Sequence, residues 1–179
     1  MEQARATDRE RAMAFMEALF LRAGVPPDRL DDVRETLERL HVERHLWSVV
    51  AADTHDALAR LRAAGIRLGV VSNSDGRVEE ALEAAGLREY FDVIVDSTLT
   101  GVEKPDPAIF RPALDALDVR PHEALYVGDL HDVDVVGARA AGIPAKLLAP
   151  AGAAAPAGCA TIASLGALAD DLLKERLAS

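Results

Sequence analysis

The fold class of this chain is clearest in one stretch of its sequence, Ile66-Arg67-Leu68-Gly69-Val70-Val71-Ser72-Asn73. Its apolar run follows a predicted helix over Ala57–Ala64 and is typical of a buried strand that ends at Ser72-Asn73. A second helix is predicted over Val78–Ala85. A short apolar strand between two helices indicates a βαβ unit, in which the strands run parallel.

The same alternation continues to the end of the chain. Further strands are predicted at Val93-Ile94-Val95, Ala124–Val127 and Ala145–Leu148. Further helices are predicted from Pro107 to Leu117, from Val135 to Ala141 and from Ser164 to about Arg176. The pattern predicts an α/β fold with a parallel sheet over residues 51–179.

Residues 1–50 have a different pattern, in which apolar residues recur at helical spacing. A first helix is predicted to start near Thr7 and Asp8 and to end before Gly24, and a second opens at Asp28 or Asp31. The apolar stripe of the first helix consists of Ala12, Met13, Phe15, Met16, Leu19 and Phe20. Such a stripe predicts a buried helix face, so we expect a small helical domain before the sheet.

Composition and charge exclude several classes of partner. The chain has 179 residues and a formal net charge of -10, so its surface would repel the phosphates of a nucleic acid. No apolar run approaches the ~18 residues that indicate a membrane span. Cys159 is the single cysteine and cannot form an internal disulfide, which favours a reducing compartment. We therefore expect a cytoplasmic protein with neither a membrane nor a nucleic acid as partner.

Polar residues cluster where the predicted strands end, the edge at which open parallel sheets bind ligands. Ser72 and Asn73 close one strand beside the start of a helix, a place that attracts anions. Lys104 adds a cation on a proline-flanked loop. Asp129 and Asp134 place two carboxylates at a strand-to-helix turn, which suits Mg²⁺. Together the groups predict a site that binds a phosphoryl group and neutralises its charge.

Each group also has a purely structural interpretation. A Ser-Asn pair after a strand is often a helix cap, and a lysine before a proline is usually solvated. A Gly-Asp pair at a strand end is a common turn. The combination of a hydroxyl, a cation and paired carboxylates on one sheet edge is what favours phosphoryl chemistry.

Three segments resemble motifs II, III and IV of the haloacid dehalogenase-like (HAD) hydrolases. They are Val70-Val71-Ser72-Asn73, Lys104-Pro105-Asp106-Pro107-Ala108-Ile109-Phe110, and Tyr126-Val127-Gly128-Asp129 with the following Asp134 to Gly142. Their order and spacing agree with the family over roughly residues 50–150. The resemblance implies a three-layer, Rossmann-like HAD core and a partial helical cap over residues 1–50. It also implies a Mg²⁺-dependent phosphatase that acts on a small phosphate ester through an aspartyl-phosphate.

The resemblance further implies a role for each residue. Ser72, with Asn73 beside it, would hydrogen-bond the phosphoryl oxygens. Lys104 would steady the nucleophile and the transferring phosphate. Asp129 and Asp134 would hold Mg²⁺, together with ligands that the family draws from motif I.

The chain departs from the family pattern at motif I, an apolar strand followed by Asp-x-Asp-x-Thr that carries the nucleophile. Nothing before Ser72 matches it. Asp96 follows a strand and precedes Ser97-Thr98, but its strand takes the family's third position. Asp132-Val133-Asp134 has the Asp-x-Asp spacing, but no apolar strand leads directly into it. We therefore expect an N-terminally truncated chain that is inactive alone.

The missing strand would lie in the centre of the sheet, between the strands that end at Ser72 and at Asp129. Unpaired buried backbone groups cost about 1–3 kcal/mol each. We expect the family geometry to persist, with the central position vacant or filled by a foreign segment, and the two edges to promote self-association. Two alternatives to the phosphatase stay open. One is a non-catalytic remnant that binds phosphate or a protein partner, and the other is a 2-haloacid dehalogenase, whose metal-independent site would have no use for the acidic pair.

Overall fold

The computed structural model describes residues 8–43, 48–149 and 155–177. Thr7, a predicted cap of the first helix, lies outside these ranges. The chain divides into two compact units, residues 1–49 and residues 50–179. Among the described residues, no helix combines the length and the apolar character that crossing a membrane requires.

The first unit consists of two helices. They are α1 (Asp8–Arg22) and α2 (Leu30–Glu43), with a 3-10 turn at Pro27–Arg29 between them. The expected burial of the apolar stripe on α1 is wrong for Phe15 and Leu19, whose residues are 67% and 47% exposed. α2 contributes no buried residue among those described. A unit this small has too little volume to enclose a wide apolar face, because the buried fraction of a chain falls with its size.

The second unit alternates strands and helices. Its strands are β1 (Gly69–Ser72), β2 (Val93–Asp96), β3 (Tyr126–Gly128), β4 (Ala145–Leu148) and β5 (Thr161–Ile162). Its helices are α3 (Thr54–Ala63), α4 (Val78–Ala84), α5 (Ser97–Thr100), α6 (Arg111–Leu117), α7 (Val136–Ala140) and α8 (Leu165–Leu177). Short 3-10 turns lie at Arg88–Tyr90, Pro107–Phe110 and Pro121–Glu123, and a π-helical turn at His131–Val135. All ladders are parallel, which confirms the predicted α/β fold.

The strands form two separate sheets. β1 pairs with β2, and Ser72 lies opposite Asp96. β3, β4 and β5 form the second sheet in that order. In the described part of the chain no ladder joins β1 to β3, as we expected for strands that do not pair directly. Self-association through their free edges stays a prediction.

One hydrophobic core connects the two sheets despite the missing ladder. It contains Val71 of β1, Val95 of β2 and Leu147 of β4, together with Ile109 and Phe110 from the 3-10 turn before α6. The last two are each 1% exposed. Full burial of side chains of this size stabilises a fold by about 1.5–3 kcal/mol each. Apolar packing therefore holds the sheets together where backbone hydrogen bonds do not.

Several predicted elements differ from the structure in their bounds, and two of these differences have a clear physical reason. β1 begins at Gly69, because the N–H of Leu68 donates to the Asp92 carboxylate and its carbonyl accepts from the Asp92 N–H, at 2.9 and 2.8 Å. The predicted helix over residues 107–117 is a 3-10 turn followed by α6. Pro112 lacks the N–H that would bond the Ala108 carbonyl in a continuous α-helix.

Candidate active site

The loops that follow β1 and β3 carry the predicted site. β1 ends at Ser72 and β3 at Gly128, so Asn73 and Asp129 are the first residues beyond the two strands. Lys104 comes from the loop between α5 and α6, and its peptide bond to Pro105 is cis. The structure thus draws its site residues from three connections of the second unit.

Asn73 fixes the backbone of Lys104. Its side-chain amide Nδ2 donates to the Lys104 carbonyl at 3.0 Å, and its Oδ1 accepts from the Lys104 N–H at 2.8 Å. This two-point bond resembles a ladder pair between strands. Asn73 therefore holds the lysine loop against the end of β1, a positioning role that we did not predict for it.

Lys104 forms a buried ion pair with Asp134. The Lys104 Nζ lies 2.7 Å from Asp134 Oδ1, and the two side chains are 9% and 4% exposed. A solvated lysine, the structural alternative for this residue, is therefore wrong. Charge pairs shielded from water interact more strongly than surface pairs, because water screens them less. The site thus contains a fixed positive charge at the end of a short loop.

Asp134 is brought back against β3 by the π-helical turn at His131–Val135. Its Oδ2 accepts from the Leu130 N–H at 2.9 Å. A Cβ built on Gly128 would lie 2.3–2.5 Å from the Asp134 side chain, closer than any real contact. Glycine at position 128 therefore allows the carboxylate to approach the strand end.

Tyr126 links the ion pair to the other sheet. Its hydroxyl lies 2.9 Å from Lys104 Nζ, 2.9 Å from the Val71 carbonyl and 3.3 Å from Asp134 Oδ1. Burial, and then the negative charge of Asp134, raise the pKa of the Tyr126 hydroxyl well above its usual range. Sequence reasoning missed this residue, although a hydroxyl inside an otherwise apolar strand was a signal.

Asp96 has a structural role. It is 2% exposed, and its carboxylate accepts from the N–H groups of Gly76, Val78 and Thr98 at 2.9–3.4 Å. Thr98 also donates its hydroxyl to the Ser74 carbonyl at 2.6 Å. Because these bonds engage both carboxylate oxygens, Asp96 does not suit the role of a nucleophile. The same bonds show that it caps α5 and shapes the loop after β1, which sequence reasoning did not foresee.

Ser72 and Asp129 keep their polar groups available. The Ser72 hydroxyl makes only a marginal bond, 3.5 Å to the neighbouring Asn73 carbonyl. Asp129 is exposed and has no hydrogen bond or ion pair to another described residue. The structure therefore brings Asn73, Lys104 and Asp134 together through direct bonds, with Ser72 beside them, and leaves Asp129 at the end of β3.

The carboxylates fit a magnesium ion in part. Mg²⁺ is typically held by one or two carboxylates, with water and substrate phosphate completing its shell. Asp129 offers a free, accessible carboxylate, whereas both oxygens of Asp134 already accept hydrogen bonds. Within residues 8–43, 48–149 and 155–177, no three His, Cys, Asp or Glu side chains converge as metal ligands. Asp129 is therefore the better candidate ligand.

Comparison with known proteins shows which family the chain is similar to. The family model for haloacid dehalogenase-like hydrolases matches residues 2–142. The chain is 36% identical over 136 residues to haloacid dehalogenase-like hydrolase domain-containing protein 3 of Bos taurus, covering 75% of the chain and 54% of that protein. It is 38% identical over 136 residues to the phosphoserine phosphatase of Thermus thermophilus, covering 75% and 53%. The chain thus spans about half the length of these curated relatives.

A solved structure supports the same assignment. The HAD phosphatase of Thermococcus onnurineus aligns with a TM-score of 0.66 and 33% sequence identity, covering 69% of this chain and 58% of that one. Sequence, fold and family model therefore agree over most of the chain. The chain belongs to the haloacid dehalogenase-like hydrolase family.

Proposed function

We propose that this chain forms part of a Mg²⁺-dependent phosphatase site that acts on a small phosphate ester through an aspartyl-phosphate. The observation that carries the proposal is the buried Lys104 ammonium, held beside the end of β1 where the Ser72 hydroxyl is available. A cation and a hydroxyl of this kind suit a phosphoryl group, whose charge spreads over its oxygens in the transition state.

In this proposal Ser72 donates its hydroxyl to a phosphoryl oxygen and Lys104 donates from its ammonium. Asn73 keeps the lysine loop in register, and the Lys104 charge stabilises the oxygens as the ester bond breaks. Magnesium, when bound by Asp129 with Asp134 as the second predicted ligand, neutralises further negative charge. The relatives named phosphatases support phosphate esters as the substrate class.

The attacking carboxylate is a separate part of the proposal. Asp96 and Asp134 are buried and engaged by protein donors, so neither suits attack on phosphorus. We propose that the nucleophile comes from outside this chain, and that the chain alone is inactive. The first unit, residues 1–49, would serve as the cap that selects the substrate.

Binding of inorganic phosphate and Mg²⁺ tests the proposal without requiring turnover. Titrations by calorimetry compare the wild-type chain with Asp129→Asn and with the matched control Asp118→Asn, which changes an exposed aspartate at the end of α6. We expect Asp129→Asn to abolish most of the Mg²⁺ binding and Asp118→Asn to leave it unchanged. Equal Mg²⁺ binding in all three chains would remove Asp129 from the metal site.

Turnover assays separate the remaining possibilities. With p-nitrophenyl phosphate and Mg²⁺ we expect no significant turnover, and a rate of ~1 s⁻¹ or more that follows the protein through purification would show that the nucleophile is present. Release of chloride from 2-chloropropionate without metal would instead favour the dehalogenase alternative. If phosphate binds and neither substrate is consumed, the phosphate-binding part of the proposal stands.

A further inference from the structure

The Tyr126 hydroxyl occupies a junction between the two sheets. It lies on β3, accepts from a lysine of the α5–α6 loop and reaches the carbonyl of Val71 on β1. Its ring packs edge-on against Phe110, with ring centroids 5.0 Å apart. The Lys104 Nζ also lies 5.5 Å from the centre of the Tyr126 ring. The hydroxyl is therefore held in place from several sides.

The number of hydrogens on each group shows which group donates in each hydrogen bond at this junction. A tyrosine hydroxyl has one hydrogen to donate. The Val71 carbonyl at 2.9 Å is nearer than Asp134 Oδ1 at 3.3 Å, so the hydroxyl donates to Val71. It then accepts from Lys104, because an ammonium can only donate. The resulting chain of bonds runs from Lys104 through Tyr126 to the backbone of β1.

These bonds fix the orientation of the lysine. An ammonium has three hydrogens, of which Asp134 takes one and Tyr126 takes another. One hydrogen stays available for an oxygen of a ligand. Because Ser72 directly follows Val71, the Tyr126 bridge also fixes where this hydrogen lies relative to the end of β1.

We propose that Tyr126 is a positioning residue, whose hydroxyl holds the Lys104 ammonium against the end of β1 so that it can bind a phosphoryl oxygen together with Ser72. This inference rests on the proposed phosphate site, because it assigns the lysine its ligand. Without the hydroxyl, the Lys104 ammonium would keep its bond to Asp134 and would lose the bridge through Tyr126 to the Val71 carbonyl of β1.

The test measures hydrogen exchange at the Lys104 ammonium group. The chain contains three lysines, Lys104, Lys146 and Lys174, so a ¹⁵N spectrum of the side-chain ammonium groups is simple, and Lys146→Arg and Lys174→Arg complete its assignment. In Tyr126→Phe, which keeps the ring, we expect the Lys104 ammonium hydrogens to exchange about tenfold faster, since one charge-assisted hydrogen bond is lost. Inorganic phosphate, added with Mg²⁺, should bind about tenfold more weakly, equivalent to about 1.4 kcal/mol.

Two control variants separate positioning from a merely structural role. Tyr90→Phe removes the other tyrosine hydroxyl, which lies 3.4 Å from His55 Nδ1, and should change neither readout. Phe110→Leu loosens the packing around the Tyr126 ring and leaves the hydroxyl. If Phe110→Leu accelerates exchange at Lys104 as much as Tyr126→Phe does, the role is structural and the inference is overturned.

The outcomes distinguish this inference from the proposed function. Unchanged exchange at Lys104 in Tyr126→Phe overturns the inference, whether or not phosphate binds. A Lys104 signal that phosphate does not move in the wild-type chain overturns the proposed phosphate site. Faster exchange together with weaker phosphate binding in Tyr126→Phe, and in neither control, supports both.

Discussion

Asp96 and Asp134 are both almost fully buried near the candidate site, at 2% and 3% exposure. Their carboxylates nevertheless accept hydrogen bonds from different kinds of donor. Backbone N–H groups surround the Asp96 carboxylate. A lysine ammonium and the Leu130 N–H surround that of Asp134. The first carboxylate can only shape the backbone, whereas the second also orients a cation. The comparison teaches that the partner of a buried carboxylate, and not its burial, indicates a functional role.

The largest expected effect comes from removing the cation that Asp134 orients. Lys104→Met leaves a buried carboxylate without its counter-charge and should lower the free energy of unfolding by about 3–5 kcal/mol. Denaturant unfolding measures the loss. The matched control is Arg60→Met, which breaks the ion pair between Arg60 and Asp170, whose side chains are 39% and 51% exposed. Its effect should be much smaller, because solvent screens that pair.

A double variant makes this prediction sharper. Replacing both partners, as Lys104→Met with Asp134→Leu, removes the unpaired charge and should restore a large part of the lost stability. If Lys104→Met destabilises the chain no more than Arg60→Met does, the ion pair contributes little, and the contrast between the two aspartates fails.

The next largest loss of stability is expected when the Asp96 carboxylate, which accepts from backbone N–H groups, is removed. Asp96→Ala leaves the N–H groups of Gly76, Val78 and Thr98 without their acceptor and should cost roughly 2–3 kcal/mol. Asp96→Asn keeps one acceptor oxygen and should cost less. Amide hydrogen exchange at Gly76 and Thr98 reports the loss locally. Unchanged protection of both amides in Asp96→Ala would contradict the role of Asp96.

A smaller effect is expected where the backbone approaches Asp134. In Gly128→Ala the new Cβ would collide with the Asp134 side chain, which must turn away from β3 at a cost of about 1–2 kcal/mol, towards the lower end of the usual range for overpacking. In an Asp134→Gly background the same substitution should cost little. A double-mutant cycle from urea unfolding measures the difference, and equal costs in both backgrounds would show that Asp134 does not require a glycine at position 128.

The smallest effect is expected for a carboxylate at the surface. The Arg120 side chain, and then its backbone N–H, lower the pKa of Glu123 from 4.5 to about 2. Because the folded pKa is lowered, this carboxylate stabilises the fold fully above about pH 4.5, and its contribution is lost as the pH falls towards about 2. The difference in unfolding midpoint between wild type and Glu123→Gln should therefore shrink with acid. If the difference in unfolding midpoint grew as the pH fell, the pKa of Glu123 would be raised by folding and not lowered.

Regular elements were predictable from the sequence where local pattern decides the structure. β4 has the predicted bounds, because Ala145 to Leu148, apolar except for Lys146, is a short run between Pro144 and a loop. β5 was not predicted, since two residues, Thr161 and Ile162, carry no recognisable period. β1 was predicted three residues too long because the hydrogen bonds of Leu68 go to Asp92, a contact between distant residues that no local pattern reveals.

The candidate site was predictable as a set of residues and not as a network. Ser72, Lys104 and Asp134 follow from strand ends and motif spacing. Tyr126, the partner of Lys104 and Asp134, does not, because its hydroxyl acts through contacts across the fold. The role of Asp96 in the loop after β1 was hidden for the same reason. The burial of Lys104 was also hidden, since its charge and flanking prolines are equally typical of an exposed loop.

The two-point bond between Asn73 and Lys104 has a consequence for the chemical ageing of the protein. Asn73 precedes Ser74, and its amide nitrogen faces the Lys104 carbonyl oxygen at 3.0 Å. Deamidation of Asn73 would replace this nitrogen by an oxygen, so that two acceptors would face each other, one of them charged. The lysine loop would be pushed away from β1 by a change of about one mass unit. A preparation would thus lose the register of its lysine loop in storage while its purity looked unchanged.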